Sequence, residues 1–221
     1  VTELLLVAAS GLAREVMSLV RGGDDFDLLG ILDDDPIRAG SLLDGAHVLG
    51  PLAEVRKHPG ARVAVCVGSG AIRADIVRRL ASLGLPPGRF ATIVHPSVMV
   101  PEGCTVGEGS ILLANVVMTA AVSLGRHVVV MPGVTFTHGD VADDYATFGA
   151  GVSLGGSVVV GRAAYLGMNS SIRQRTRVGA RAVIGMGAAV VSDVPEGQTW
   201  VGVPARPMSQ DAHVAGSRGE S

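Results

Sequence analysis

Aromatic residues are almost missing from this chain: Phe, Trp and Tyr together make 3% of 221 residues. A core without large rings has to be narrow and aliphatic, and the 31 glycines mark a backbone that turns often. Charge is thin as well. With 17% charged residues and a formal net charge of -2, there is no basic footprint for nucleic acid. Cys66 and Cys104 are the two cysteines, and neither has metal-ligand spacing. That argues against a disulfide framework and for buried thiols in a reducing cytoplasm. No apolar run reaches the ~18 residues of a membrane span, and the sequence opens on a strand-like run rather than a basic leader. A soluble, cytoplasmic protein with no membrane partner is expected.

What the sequence has instead is a period of six. Every sixth residue from Val100 to Val190 is apolar, 16 positions running Val100, Val106, Leu112, Met118 and onward to Ile184 and Val190. Gly follows directly at 107, 125, 149, 155, 161, 167, 179 and 185. The fourth residue after each apolar one is mostly small or Val, as at Val116, Val128, Ala146 and Val158. Six matches neither the 3.6 of a helix nor the 2 of a strand, so the pattern is a repeat. Each unit predicts one short strand and a corner, with Gly supplying freedom at the bend. Three units close a coil of 18 residues, the every-sixth side chain points inward, and it stacks on the residue 18 later. Roughly five coils fit between 100 and 190.

Three apolar runs precede the repeats, and each ends in a loop. Leu4 to Ala9 passes through Ser10-Gly11-Leu12 into a helical stretch; Leu28 to Leu32 runs into Asp33-Asp34-Asp35-Pro36; Val63 to Val67 leads to Gly68-Ser69-Gly70 and a helix with Ile72, Ile76 and Leu80. Alternating strands and helices predict a small parallel α/β sheet with ligands beyond the carboxyl ends of its strands, where all three loops lie. Leu85-Pro86-Pro87-Gly88 breaks the last helix. The domains are therefore set at 1–90 and 91–208, with the polar segment 209–221 read as a mobile tail.

Candidate chemistry is sparse. The fingerprint G-x-G-x-x-G is absent because Ala8 and Ser10 stand where it needs glycines. Gly11 at a helix N-terminus can still meet a phosphate, and Asp33 and Asp34 can accept hydrogen bonds from a ribose or base. The same residues serve equally well as a tight turn and a solvated loop. Within the repeats His138 stands out. An imidazole is suited to take a proton near neutral pH, as acyl transfer to an amine or hydroxyl requires, though a histidine on a solvated face reads the same way.

These patterns resemble the hexapeptide-repeat sugar acyltransferases. The resemblance implies a left-handed parallel β-helix, a hand opposite to that of most parallel crossovers. The series Ser10-Gly11-Leu12-Ala13-Arg14-Glu15-Val16, then Leu32-Asp33-Asp34-Asp35, then Val67-Gly68-Ser69 ahead of Ile72-Arg73, is similar to enzymes that modify UDP-4-amino sugars such as bacillosamine. It is similar also to the sialic acid O-acetyltransferase-like group. The implied architecture is an α/β Rossmann-like nucleotide-sugar-binding domain followed by the β-helix, with Gly11, Leu12, Ala13, Asp33, Asp34 and Gly68 on the uridine diphosphate side. Leu12 stands where the family usually has His.

The resemblance makes His138 the general base. Its Asn-His-Asp or Glu-His-Glu triplet here reads Thr137-His138-Gly139, so the acid that should follow is missing. Asp140 is expected on the same face as His138 and is taken as the replacement partner. A second family His, which contacts the cofactor, is Thr147 here. Acetyl-CoA is implied as co-substrate, without a metal, in a groove between subunits with Met168 and Met186 at matching positions. Without the family, both Met residues are ordinary repeat corners. Arg173, Arg175, Arg177, Arg181 and Arg206 are either a site for the CoA phosphates or a solvated face.

The implied activity is transfer of an acetyl or short acyl group from CoA to an amino or hydroxyl group of a nucleotide-linked sugar. Direct attack is expected, because no positioned Ser or Cys accompanies His138. A homotrimer is implied, and outward Val and Ala positions that gain by packing agree with it. A zinc enzyme of the γ carbonic anhydrase type would need three converging histidines, and His95, His127 and His138 differ in phase. The remaining alternative is a nucleotide-sugar-binding or scaffold homologue that has lost turnover, to which Gly139 and Thr147 point.

Overall fold

The computed structural model describes residues 1–208; the segment 209–221, read above as a tail, lies outside the described residues. In the first domain β1 (Thr2–Val7), β2 (Phe26–Leu32), β3 (Leu42–Leu43), β4 (Ala46–Gly50) and β5 (Arg62–Val65) form one sheet in the order β3-β4-β2-β1-β5. All neighbours are parallel except β3 and β4. β1 feeds two cores: Leu4 and Leu6 pack with α1 (Gly11–Arg21), while Leu5 and Val7 pack with α2 (Gly70–Ser82). Burial of both faces is why β1 reads as an unbroken apolar run. The β3–β4 hairpin and a 3-10 turn at Leu52–Lys57 go beyond the three expected strands. The hairpin had a signal in Asp44-Gly45, whose φ values of 43° and 82° suit a tight two-residue turn.

The chain changes sheets over a few residues. Phe90 still bridges to Val63, and Ile93–Val94 already pairs with Ile111–Leu112. From there it winds into a three-sided parallel β-helix of two-residue strands paired eighteen residues apart, so that Val129 lies between Ile111 and Thr147. The three sides carry five, eight and five strands. Thr199–Val201 and the antiparallel Arg206–Pro207 end the eight-stranded side. Every-sixth residues from Leu112 to Val190 are all buried, whereas Val100 and Val106 in the first coil are exposed and half-buried. Burying each Val, Leu, Ile, Met or Phe of this column contributes about 1.5–3 kcal/mol, and Ala142 less. Phe136 and Phe148, edge to face at 4.9 Å, are its largest members.

The glycines that directly follow the apolar positions do a different job from the one expected of them, whereas Gly103, Gly109, Gly133, Gly139, Gly151 and Gly187 do sit at the bend. The left-handed φ falls three residues after each apolar position, at 103, 109, 115 and on to 187, and at corners such as Ala121, His127 and Arg175 no glycine is present. Glycines directly after the apolar residue have no left-handed φ. A Cβ on Gly107 would come within 2.4 Å of the next coil's backbone, and one on Gly161 or Gly179 within 2.5 Å. They are there so that successive coils can approach.

The two domains share a core. Leu4, Leu6 and Met17 sit in one apolar cluster with Ile111, Leu113 and Val129 of the β-helix. The α1 face of the sheet is therefore packed on the eight-stranded side of the prism.

Candidate active site

Loops at the carboxyl ends of β1 and β5 meet that prism wall and leave a cleft of about 320 Å³. Gly11, Leu12 and Gly68 line one side, and Met131, Thr147, Tyr165 and Met168 the other. Five of the expected site residues thus come together from widely separated stretches. Ser10 starts α1: its hydroxyl accepts from the Ala13 amide at 3.1 Å and donates to the Cys66 carbonyl at 2.6 Å, tying the β1 loop to the end of β5. Ser69 caps α2, its hydroxyl accepting from the Ile72 amide at 3.5 Å. The N-terminus of α1 therefore opens at the cleft, while α2 starts two residues beyond Gly68 with Gly70 packed on Tyr145 and Ala163. The first-turn amides of a helix have no acceptor within it, and this positive end suits a diphosphate. A larger hollow of about 600 Å³ lies at the opposite strand ends among Thr2, Arg62 and His95. It borders the carboxyl end of α1, where the helix dipole disfavours an anion.

Four expected contacts lie elsewhere. Ala13 is fully buried and its amide is taken by Ser10. Asp33 accepts from the Ala9 amide at 2.7 Å and the Asp35 amide at 2.9 Å. Asp34 accepts from the Leu52 amide at 3.0 Å and pairs with Arg79 at 2.5 Å. These carboxylates brace the loops, and neither lines the cleft. Met186 is exposed one coil beyond Met168, outside the cleft but on the same corner, where its neighbour Gly187 donates to the Met168 carbonyl at 2.8 Å.

Thr147 stands where the family has its cofactor-contacting His. It is buried, its hydroxyl donates to the Gly68 carbonyl at 2.8 Å, and it accepts from Arg73 at 3.0 Å. Its proton is committed. Arg73 itself had no role in the sequence reading. Its guanidinium is fully buried and donates to the carbonyls of Val67, Gly68, His127, Tyr145 and Ala146 as well. Burial pushes its pKa down to about 10 and pushes the neighbouring Cys66 thiol up to about 12. The signal was its phase: Arg73, Ile76 and Leu80 share the buried stripe of α2.

His138 is exposed at a different corner, where Thr135–Phe136 turns into Val141–Ala142. Its ring lies over Gly156 of the next coil, where a Cβ would come within 2.4 Å of Nε2. The expected pairing with Asp140 is not made. Gly139 turns at φ 72°, which breaks the strand alternation and sends Asp140 into the prism. There the carboxylate accepts from the Thr137 amide at 2.7 Å and the Val158 amide at 2.9 Å. Burial pushes its pKa up to about 6, against the pull of those two amides and of nearby His138. His127 is buried between Phe90 and Tyr145, and desolvation pushes its pKa down to about 4. It is packed inside the domain junction and does not meet His138 in a common cleft.

An α/β domain set against a hexapeptide coil, with a cleft of about 320 Å³ between them, is the architecture of the hexapeptide-repeat sugar acyltransferase class, to which this chain's relatives point. No family model matches the chain. GDP-perosamine N-acetyltransferase of Escherichia coli O157:H7 is 30% identical over 195 residues, covering 85% of each protein, and the chain belongs to this family of hexapeptide-repeat sugar N-acetyltransferases. UDP-3-O-acylglucosamine N-acyltransferase of Caulobacter sp. (strain K31) is 35% identical over 106 residues, which is 48% of this chain and 26% of that one. Among solved structures, GDP-perosamine N-acetyltransferase from Caulobacter crescentus, with one histidine changed to alanine and in complex with CoA and GDP-perosamine, superposes with a TM-score of 0.85. That pair is 26% identical over 95% of this chain and 98% of the other. The acetyltransferase domain of PglB from Neisseria gonorrhoeae FA1090, in complex with acetyl coenzyme A, gives 0.82 at 28% identity over 93% and 98%. The β-helix is left-handed.

Proposed function

We propose that this protein transfers the acetyl group of acetyl-CoA to the amino group of a nucleotide-linked sugar. The observation that carries the reading is the cleft, in which the N-terminus of α1 and the Gly68 loop face a β-helix wall, in a chain that superposes along 95% of its length on an enzyme holding CoA and GDP-perosamine. The sugar nucleotide's diphosphate lies by Gly11, Leu12 and Gly68. The coenzyme runs along the corner marked by Met168 and Met186. The amine attacks the thioester carbonyl, the C–S bond breaks, CoA leaves as the thiolate, and His138 takes the proton shed by the amine. No acyl-enzyme is involved: Cys66 is buried with its thiol held protonated.

His138 does not line the cleft of its own chain. The reading therefore takes the imidazole from a neighbouring copy in a homotrimer. The free thiols of Cys66 and Cys104 suit the cytoplasm. One observation favours the scaffold alternative: Gly139 has no side chain, and both oxygens of Asp140 are spent on backbone amides.

Thiol release from acetyl-CoA, followed with GDP-, UDP- and dTDP-linked 4-amino sugars, tests the reading. Turnover with one of them is expected, and His138→Ala is expected to lower kcat about a hundredfold or more with the oligomer unchanged. Normal CoA binding with no thiol release on any amino sugar would establish the scaffold instead.

A further inference from the structure

We propose that Arg73 is a positioning residue for this transfer: it holds the Gly68 loop and the Thr147 hydroxyl in the register that shapes the nucleotide-sugar side of the cleft. The inference rests on the function proposed above. Its observations are separate. A guanidinium buried without an ion partner is costly, and among the described residues Arg73 makes no salt bridge. What compensates it is six oxygens drawn from three segments. Nε reaches the His127 carbonyl at 2.8 Å; Nη1 reaches Val67 and Gly68 at 2.5 and 3.2 Å; Nη2 reaches Tyr145, Ala146 and the Thr147 hydroxyl at 2.7, 3.1 and 3.0 Å.

His127 and Thr147 belong to two successive coils, and Val67-Gly68 is the loop that follows β5. One planar fork spans all three, which a point charge on a flexible stem cannot do. Because Thr147 accepts from Arg73, its own proton goes to the Gly68 carbonyl, so a second bond closes over the first. Gly70 presses the start of α2 on the same corner: a Cβ there would lie 2.2 Å from the Tyr145 carbonyl oxygen. Filling space alone would call for an aliphatic side chain, as Ile76 and Leu80 provide further along the helix. Arg73 is placed where the loop of one domain must keep a fixed height above the wall of the other.

The test is a split between the two Michaelis constants in Arg73→Lys and in Thr147→Val. Lys keeps the charge but cannot bridge three segments. In Arg73→Lys the KM for the nucleotide sugar is expected to rise about tenfold or more, while that for acetyl-CoA changes less than about twofold. Hydrogen exchange at amides 67–70 should quicken, with the prism column unaffected. Thr147→Val removes one hydroxyl and keeps the volume, so a rise of about threefold in the same KM is expected, and this variant carries the test alone should Arg73→Lys fail to fold. An equal rise in both constants, or an unchanged sugar KM in Thr147→Val, would overturn the role. A wild type inactive on every amino sugar would overturn the proposed function instead, and the exchange rates at 67–70 would still decide whether Arg73 holds the loop.

Discussion

Asp140 carries the sharpest residue-scale consequence. Its folded pKa is raised to about 6 from an ordinary 3.8, so the folded chain binds this proton more readily than the unfolded one. Stability from this group is therefore complete below the unfolded value and is lost as pH climbs from about 4 to about 6. Asp140→Asn cannot titrate, and its amide has one oxygen for two backbone N–H donors, which should cost about 1–3 kcal/mol. In urea melts at a series of pH values, the wild type is expected to lose stability relative to the variant across that window. A constant difference between the two curves would mean that the carboxylate is not buried as described. The same residue shows where sequence was readable and where it was not. His138 was found because an imidazole is rare among the repeats, but the direction of Asp140 depended on the left-handed turn at Gly139, which a rule of strict alternation does not foresee.

At the scale of the element, the period of six was legible because a buried column leaves no choice at every sixth position. The phase of the corner was not. Composition suggests that glycine marks the bend, yet Asn115, Ala121 and Arg175 take the left-handed φ while the glycines of the pattern let coils touch. These two uses separate under mutation. Gly161→Ala places a methyl 2.5 Å from the Ala180 amide nitrogen, a contact only backbone movement can relieve, and should cost about 1–3 kcal/mol. Arg175→Gly removes an exposed side chain from a φ of 61°, trading relief of strain against backbone entropy, and should fall within about 1 kcal/mol of the wild type. Denaturation of both variants checks the pair, and a silent Gly161→Ala would remove the close-approach account. The β3–β4 hairpin escaped the reading for a simpler reason. Leu42–Leu43 is too short to register as an apolar run, and only the Asp-Gly turn beside it spoke for a strand.

For the molecule as a whole, the decisive relation is between His138 and the cleft, and it follows from counting. His138 and Thr147 are nine residues apart in the sequence, half of an eighteen-residue coil, so they fall on opposite sides of the triangular section. The cleft cannot receive the imidazole of its own chain without unwinding the coil. A second copy can supply it. Gly11→Trp fills the cleft from a position where a Cβ meets nothing within 4 Å, so the fold is left alone and the nucleotide excluded. His138→Ala empties the other half. Each variant alone is expected to be nearly inactive. Co-expressed in equal amounts, they should recover about a quarter of the wild-type rate per chain, since random assembly places an intact cleft beside an intact imidazole in one pairing of four. Activity that stays at the level of the separate variants would show that each chain holds a complete site, and the composite arrangement would have to be given up.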